Sequence, residues 1–405
     1  ALLMSEYFLH GCEVVQIDDG IRPIKTVKSS IIGLIGTAPS ADAAAFPFDV
    51  PVLVNGPRQA AKLGAVGTLL DAYNAIYAQG VGQVIVIRPS RITYEAGSEP
   101  SEAEQDMTAV IGEASSQTGI YGFLTCQTKL GLTPRILVAP GFTGSPLAGS
   151  AAVIQNMIAV AERLRAVVPI DMRNGTLTDA LVEANTYGSE RVYPIWPHVR
   201  IFDTATSGLV TSPASAFAAG AIAARDREKG FWWSPSNQVL NGVLDTAQPV
   251  SFGLSDPEAD SNLVNEEGIA TIVQKNGFRL WGNRTQATDP LWAFLSVRRT
   301  ADMIYESIEE QHLWAMDRPF SAQLLEDIRD GVQAYIDRLV ALGALIGGRV
   351  WLDPELNTAA TLQAGKLFLS FDIEPPAPLE HLIFRAHRNG SYYEDLVSSV
   401  IAVAA

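Results

Sequence analysis

The chain is organised around residues 262–300, which read NLVNEEGIATIVQKNGFRLWGNRTQATDPLWAFLSVRRT. The apolar segment Ile269 to Val273 predicts a short strand, and after a turn at Gly277 the segment Phe278 to Trp281 predicts a second. Asp289-Pro290 then combines an N-cap aspartate with a proline in the first helical position. The stretch therefore predicts two strands followed by a helix.

Strands and helices alternate in the part of the chain before this stretch. The segments SSIIGLIG (29–36), QVIVIR (83–88) and RILVA (135–139) are apolar almost throughout, as is typical of strands in a sheet covered on both faces. Helical spacing of apolar residues lies between and after them, as in Thr68 to Ala78. The acidic segment Ser90 to Gln105 is interpreted as a surface loop. The order predicts an α/β domain with a mostly parallel sheet.

The C-terminal third has a different pattern, a helix pair followed by a small sheet. The first helix is predicted from about Pro290 to Ala315, and Ser321 is predicted to cap the second. Leu367 to Ile373 alternates as a strand does, Pro375 to Pro378 bends the chain, and His381 to Ala386 predicts another strand. This part is predicted to be a smaller α+β domain.

Both ends of the chain carry apolar, strand-like segments with no local sheet to join. A strand left alone has unpaired backbone donors and acceptors, so we expect these segments to add to the sheet of a neighbouring subunit. The alternatives are that they fold back onto their own domain or are disordered. The predicted arm strands consist of Glu13, Val14, Val15, Gln16, Ile17, Leu396, Val397, Ser398, Ser399, Val400 and Ile401.

Composition excludes several classes of function. The net charge of −15 argues against nucleic acid or an anionic membrane as the main partner. Cys12 and Cys126 form neither a disulfide framework nor a zinc spacing, which indicates a reduced, cytosolic product. The N-terminal segment lacks the signal-peptide pattern, and no apolar run approaches the ~18 residues of a membrane span.

Motifs that carry chemistry are missing from the sequence. The five histidines show no metal-binding spacing, and neither a Gly-x-Ser-x-Gly elbow nor a phosphate-binding Gly-rich loop is found. His198, near Trp196 and Asp203, is interpreted as structural because no nucleophile motif accompanies it. The sequence therefore predicts no catalytic residue, no metal site, no cofactor and no enzyme.

A second diagnostic stretch, residues 213–244, reads PASAFAAGAIAARDREKGFWWSPSNQVLNGVL. It combines a small-residue helix, an arginine-aspartate pair, a glycine-aromatic turn and a Ser-Pro-Ser-Asn run. Together with the gly-x-x-x-trp-gly-x-arg-thr run and the arginine pair after it, this resembles the contractile tail sheath proteins of phages and of phage-tail-like particles such as R-type pyocins. The signature residues are Gly277, Trp281, Gly282, Arg284, Thr285, Arg298 and Arg299.

The resemblance, which extends over nearly the whole chain, implies an architecture. It implies an N-terminal arm (1–28), an outer α/β domain with a subtilisin-like fold (29–260), a smaller inner α+β domain (261–386) and a C-terminal arm (387–405). It also implies that many copies form hexameric rings in a helical sheath around an inner tail tube. Contraction of that sheath would drive the tube through the host cell envelope. The other implied partners are baseplate and tail terminator proteins, and the implied location is the virion tail, assembled in the host bacterial cytoplasm.

Two groups of residues receive roles from this resemblance. The second C-terminal helix would face the tube through Glu326, Arg329, Asp330, Gln333, Asp337 and Arg338. The alternative for this polar face is simple solvation. The arginine pair Arg298-Arg299 is predicted to hold the turn at Trp281 to Thr285 rather than to contact the tube. Two other interpretations stay open at this point: the sheath of a tailocin or bacterial contractile injection system, and a hydrolase with a degenerate subtilisin-like domain.

Overall fold

The computed structural model describes residues 24–90, 101–147, 149–183 and 186–403. Its strands are β1 (Ile32–Ile35), β2 (Val52–Val54), β3 (Val84–Ile87), β4 (Ile136–Val138), β5 (Val168–Asp171), β6 (Val192–Ile195), β7 (Val199–Asp203), β8 (Gly208–Ser212), β9 (Gln238–Val239), β10 (Asp245–Thr246), β11 (Thr271–Gln274), β12 (Phe278–Trp281), β13 (Gly347–Leu352) and β14 (Leu369–Glu374). Its α-helices are α1 (Pro57–Ala60), α2 (Leu69–Ala78), α3 (Glu102–Ile111), α4 (Cys126–Leu130), α5 (Gly149–Leu164), α6 (Leu177–Glu183), α7 (Ser215–Glu228), α8 (Asp260–Glu266), α9 (Leu295–Gln311), α10 (Ala322–Ala341), α11 (Ala359–Gln363) and α12 (Ser391–Val403).

A mostly parallel sheet forms the first half of the fold. Its strand order is β2-β3-β1-β4, with β1 parallel to both β3 and β4 and with β2 antiparallel at the edge. A single parallel bridge, Ile136 to Val167, leads on to the parallel pair β5-β6, and another, Ile195 to Ala270, leads on to the segment that opens β11. The predicted α/β pattern is confirmed for these strands.

Helices cover both faces of this sheet, which explains why its strands are apolar throughout. Along β3, Val84 and Val86 face a core with α2 and α7, whereas Ile85 and Ile87 face a core with α3 and α5. Helix α7 is buried nearly all round because its small residues allow neighbours to approach closely. A Cβ on Gly220, for example, would lie 2.7 Å from the Cγ atom of Gln79 on the chain that follows α2.

The C-terminal part has a separate core built from α9, α10 and the antiparallel hairpin β13-β14. Ile24 is buried in this core, and the backbone N–H of Val27 donates to the Ser307 hydroxyl at 3.1 Å. Residues 24–28 of the predicted arm therefore fold back onto their own chain. The predicted strand Glu13 to Ile17 lies outside the described residues.

The hydrophobic cores change later in the chain than the predicted boundary at 260/261. Ala270, Ile272, Leu280 and Leu295 pack in the core of the parallel sheet, whereas Met303 packs in the C-terminal core. The change therefore lies within α9. The reason is that β11 and β12 lie beside β6 and extend the sheet of the first half, so their side chains pack in its core.

Two local predictions are wrong, and a third is not tested by a single chain. Helix α3 begins within the predicted loop 90–105, where Ser101 and Glu104 form a capping box; residues 91–100 lie outside the described ones. The predicted strand His381 to Ala386 is exposed chain without strand structure. In the single chain the predicted inter-subunit strand Leu396 to Ala402 lies in α12, because a helix satisfies its backbone groups locally when no neighbouring strand is available. Its pairing with a neighbour stays a prediction.

Candidate functional site

The signature run forms a tight turn between the sheet and α9. Strands β11 and β12 pair antiparallel, with Gly277 at φ +101° in the turn that joins them. Trp281 packs edge-to-face on Phe252, with ring centroids 5.1 Å apart. Gly282 follows at φ +136°, and its N–H donates to the Ser236 hydroxyl at 3.0 Å. The signature thus connects to the Ser-Pro-Ser-Asn run of the second diagnostic stretch.

Only glycine fits at position 282. A Cβ there would lie 2.7 Å from the Cα atom of Ala270 and 2.6 Å from the side-chain oxygen of Asn265. We expect Gly282→Ala to lower the free energy of unfolding by about 2–4 kcal/mol, from steric overlap and an unfavourable φ together. Urea denaturation followed by tryptophan fluorescence measures this. Gly131→Ala is a control, because its φ is also positive but open space surrounds it, and a larger loss there would contradict the packing argument.

The residues after Gly282 fix the start of α9. The Thr285 N–H donates to the Ala293 carbonyl at 2.8 Å, and the Leu295 N–H donates to the Asn283 carbonyl at 2.9 Å. The Asp289 side chain accepts from the Leu291 N–H, which confirms the predicted cap, although it caps a 3-10 turn (Pro290–Trp292) ahead of the α-helix. The signature therefore sets the position from which α9 leaves the sheet.

Arg299 forms a buried ion pair with Asp226, so the two diagnostic stretches meet here. Its guanidinium donates to both carboxylate oxygens at 2.7 and 2.6 Å and to the Ser29 carbonyl at 3.2 Å. The side chains of Arg299 and Asp226 are only 3% and 1% exposed. The pair joins α9 to the end of α7 and to the chain ahead of β1.

Arg298 is held by a different set of partners. It donates to Asp302 at 2.8 Å and to Glu190 at 3.0 Å, and its guanidinium lies 4.3 Å from the centre of the Trp292 ring. The structural role predicted for the arginine pair is thus supported by the geometry, but the predicted partner is wrong. The two guanidinium groups contact carboxylates on α7, on α9 and before β6 instead of the turn at Trp281 to Thr285.

Further carboxylates along α9 pair with arginines from the α/β part of the chain. Asp302 is the fully buried member, and it accepts from Arg191 at 2.8 Å as well as from Arg298. Glu306 accepts from Arg135 at 2.7 Å and from Arg165 at 2.8 Å. We name this set the α9 ion-pair row: Arg298, Arg299, Asp302, Glu306 and Glu309 on α9, with Glu190, Asp226, Arg191, Arg135 and Arg165 as partners. The row was not predicted from the sequence, although the spacing of three and four residues between the charged side chains of α9 was a usable signal.

Arg165 and Glu309 form the outermost pair of the row, and the pKa of Glu309 can be measured. Arg165 makes two hydrogen bonds to the Glu309 carboxylate, which lower the pKa of Glu309 below its ordinary value of 4.5. Because the folded-state pKa is depressed, the contribution of the pair is present above the unfolded value and is lost as the pH falls through the folded value. We expect Arg165→Gln to raise the pKa of Glu309, as read by NMR titration. Arg163→Gln, an exposed neighbour on α5, should leave it unchanged, and an equal shift in both variants would refute the pairing.

Helix α10 presents an acidic stripe to solvent. The Ser321 hydroxyl accepts from the Leu324 N–H at 3.1 Å, which confirms the predicted cap. Glu326, Asp327 and Asp337 are exposed, while Asp330 is half-buried and pairs with Arg329 at 2.8 Å. Asp327 was absent from the predicted set.

Two residues of the predicted tube-facing set also serve the fold. Gln333 accepts a hydrogen bond from the Val350 N–H at 2.9 Å, which ties α10 to β13. The Arg338 guanidinium donates to the Ile24 carbonyl at 2.9 Å and lies 5.4 Å from the centre of the Tyr335 ring. Arg338 is nevertheless exposed, so the surface of α10 is more acidic than the predicted set only through the added Asp327.

The hairpin β13-β14 and the chain that follows it form a third exposed feature. Within the described residues these two strands form a two-stranded sheet, so each has one edge open. After β14, Pro375 is buried, and residues 379–394 are exposed. Large apolar side chains lie in this exposed segment, among them Leu379, Ile383 and Phe384, the last 85% exposed. Folding of one chain leaves this apolar surface uncovered.

Comparison with known proteins matches both halves of this architecture. The family model for the phage tail sheath protein central domain matches residues 117–286, and that for the phage tail sheath C-terminal domain matches residues 287–388. The tail sheath protein of Escherichia phage P2 is 35% identical over 402 residues, which are 98% of this chain and 99% of that protein. The chain belongs to the phage tail sheath family.

Other members of the sheath family and solved sheath structures agree with this. A prophage major tail sheath protein of Pseudomonas aeruginosa is 36% identical over 93% of this chain and 96% of its own length. The contracted helical sheath of the anti-feeding prophage has the same fold, with a TM-score of 0.68, 18% identity, and coverage of 95% of this chain and 100% of that one. The junction of the two family models, at 286/287, also lies later than the predicted boundary at 260/261.

The sheath chain contains a buried serine-aspartate pair that bears on the hydrolase alternative. The Ser215 hydroxyl donates to the Asp171 carboxylate at 2.5 Å, and the Ser215 N–H donates to it at 2.8 Å. Both residues are fully buried. A nucleophilic serine needs a base that accepts its proton and a path to substrate, and this pair instead fixes the start of α7 against the end of β5. In the described part of the sheath chain, no helix is long and apolar enough to span a membrane.

Proposed function

We propose that this chain forms the contractile sheath around an inner tail tube and that its two terminal segments link neighbouring subunits. The single observation that carries the proposal is the exposed apolar segment 379–394, which a lone chain leaves uncovered. Monomeric proteins rarely expose large contiguous apolar surface, and such surface marks interaction sites. The named relatives are tail sheath proteins, which supports a neighbouring copy as the partner.

Strand addition is the proposed form of the link. The hairpin β13-β14 has open edges, and two strands alone make a marginal sheet. A segment from a neighbour would add backbone hydrogen bonds at such an edge. We propose that residues 396–401 change from helix to strand when they meet a neighbour, and that residues 13–17 of another subunit add in the same way. Arms of this kind would keep the lattice connected while the subunit bodies move.

The body of each subunit is proposed to move as a rigid unit. Buried ion pairs at Arg299 and Asp302 connect α9 to the α/β part of the chain, and breaking such pairs during motion would be costly because it leaves a buried charge without its partner. Contraction would therefore change contacts between subunits and leave these contacts within each subunit intact. The free energy would come from new subunit contacts summed over many copies, with no nucleotide required.

The proposed layout has an outer α/β domain of subtilisin-like architecture and an inner α+β domain. The change of hydrophobic core within α9 supports a boundary later than 260/261. The inner domain would present α10 to the tube. Because Glu326, Asp327 and Asp337 are exposed there, we propose that the facing tube surface is basic.

A charge-reversal variant tests the tube-facing role of α10. The triple variant Glu326→Lys, Asp327→Lys and Asp337→Lys should lose co-purification with the tube protein at low salt while the chain stays folded. The control variant Asp256→Lys, Glu258→Lys and Glu266→Lys changes the charge equally at other exposed positions. Equal tube binding by both triple variants would refute the proposal that α10 faces the tube.

Contraction itself is tested on assembled particles. Tails that contain this chain, its tube and its baseplate should show a long, narrow sheath before a brief urea pulse. They should show a short, wide sheath with a protruding tube after it. Sheaths of constant length under conditions that release the tube would contradict the proposal.

A second candidate is the sheath of a tailocin or bacterial contractile injection system. It is consistent with the fold shared with sheaths of the anti-feeding prophage and of an extracellular contractile injection system, the latter with a TM-score of 0.64. Finding a capsid gene beside this gene would support a phage virion assembled in the bacterial cytoplasm, whereas finding a cell-bound baseplate would support an injection system. The hydrolase alternative requires specific serine labelling by a fluorophosphonate probe.

A further inference from the structure

Among the described residues, an ion pair ties the base of the exposed C-terminal segment to the body. The Arg284 guanidinium donates to both oxygens of Glu380, from Nε at 2.8 Å and from Nη2 at 2.6 Å. Such two-pronged contacts fix orientation as well as distance. Glu380 immediately precedes residues 381–394, all of which are exposed. The pair therefore joins the body to the chain at the point where the segment begins.

The body side of this contact is rigid. Arg284 forms a backbone bridge with Phe294, and its guanidinium lies 5.1 Å from the centre of the Phe294 ring. The residues on each side of Arg284 accept from Leu295 and donate to Ala293 through the backbone. The guanidinium is thus presented from a turn that the signature run has already fixed.

The segment side of the contact is stiff as well. Residues 375–378 read PPAP, and proline-rich chain adopts extended, semi-rigid conformations. Pro375 is buried directly after β14, and Glu380 is held by Arg284, so both ends of this short stretch are fixed. Together, the proline stretch and the ion pair restrict the direction in which the segment leaves the body.

We propose that Arg284 and Glu380 are positioning residues that aim the C-terminal segment at the neighbouring subunit. This inference rests on the proposed function of that segment. The inference gives Arg284 of the signature run a role of its own, since Gly282 and Trp281 of the same run act in packing. A segment aimed in advance loses less conformational entropy when it is captured, so the pair favours assembly even though it is partly exposed and weak by itself.

Charge reversal tests the pair directly, with a local readout. Spin labels at Leu291→Cys and Leu382→Cys, in a Cys12→Ser background, report the distance between the fixed turn and the segment. The native pair should give a narrow distance distribution, Arg284→Glu should broaden it at least twofold, and the swap Arg284→Glu with Glu380→Arg should narrow it again. Lys62→Glu, which breaks a distant exposed pair with Asp42, is the control and should change nothing. A distribution that Arg284→Glu leaves unchanged would overturn the proposal.

Assembly is the second readout. The rate of sheath assembly should fall about threefold in Arg284→Glu, within the range expected for an exposed ion pair, and should recover in the swap. A broadened distance distribution with an unchanged assembly rate would overturn the positioning role. Normal assembly of a chain that ends at residue 386 would instead refute the proposed arm, so the two failures are distinguishable.

Discussion

Replacement of Arg299 with methionine should lower the free energy of unfolding by about 3–5 kcal/mol, the cost typical of a broken buried ion pair. The Asp226 side chain, 1% exposed in the native chain, would lose the two guanidinium donors that contact it at 2.7 and 2.6 Å. The Ser29 carbonyl would lose a donor as well. Urea denaturation followed by circular dichroism measures the change.

Two further variants identify the source of this loss. The double variant Arg299→Met with Asp226→Leu should recover much of the stability, because no buried charge is then left without a partner. Arg349→Met breaks the exposed pair with Asp372 and should cost less than about 1 kcal/mol. A loss in Arg299→Met as small as that in Arg349→Met would contradict the role assigned to the buried pair.

Deletion of residues 1–20 should abolish long sheaths and leave the subunit folded. The described chain begins at Ile24, which is buried against the C-terminal helices, so the cut removes none of the described packing. The lost segment contains Glu13 to Ile17, the predicted arm strand. The thermal unfolding midpoint should change by less than about 2 °C, because the described packing is kept, while electron microscopy should show no tubes.

Point variants separate the arm from a general effect of truncation. Val15→Pro removes a backbone donor and should impair assembly if the segment pairs as a strand. Val15→Thr keeps a β-branched residue at the same position and should assemble normally. Full-length tubes from the truncated chain, or equal assembly of the two point variants, would refute strand exchange by this arm.

Local signals in the sequence were sufficient for much of the fold. The continuous apolar runs around β1, β3 and β4 predicted buried strands because only a sheet covered on both faces tolerates them. The caps Asp289 and Ser321 marked the helix starts, and both side chains accept the expected N–H groups. These predictions depend only on residues close together in the chain, and a sequence shows such neighbours directly.

Contacts between residues that are far apart in the chain could not be predicted from the sequence. The partner of Arg299 lies 73 residues away, and the pairs of Glu306 with Arg135 and Arg165 join residues that no local spacing relates. The segment after Glu380 illustrates a different limit. An apolar run can form either a helix or a strand, so residues 396–402 form a helix in the single chain. We propose that they form a strand only when they contact a second copy of this chain. The sequence of one chain does not show how that copy is positioned.

Negative-stain electron microscopy of the purified full-length chain tests the central claim most directly. Samples over a range of salt and protein concentrations should contain hollow, striated tubes or stacked rings, because the exposed apolar segment and open sheet edges are predicted to be covered by other copies. The tube protein should be added to any sample that stays monomeric, to supply a template. Persistent monomers in the presence of the tube protein would contradict the account.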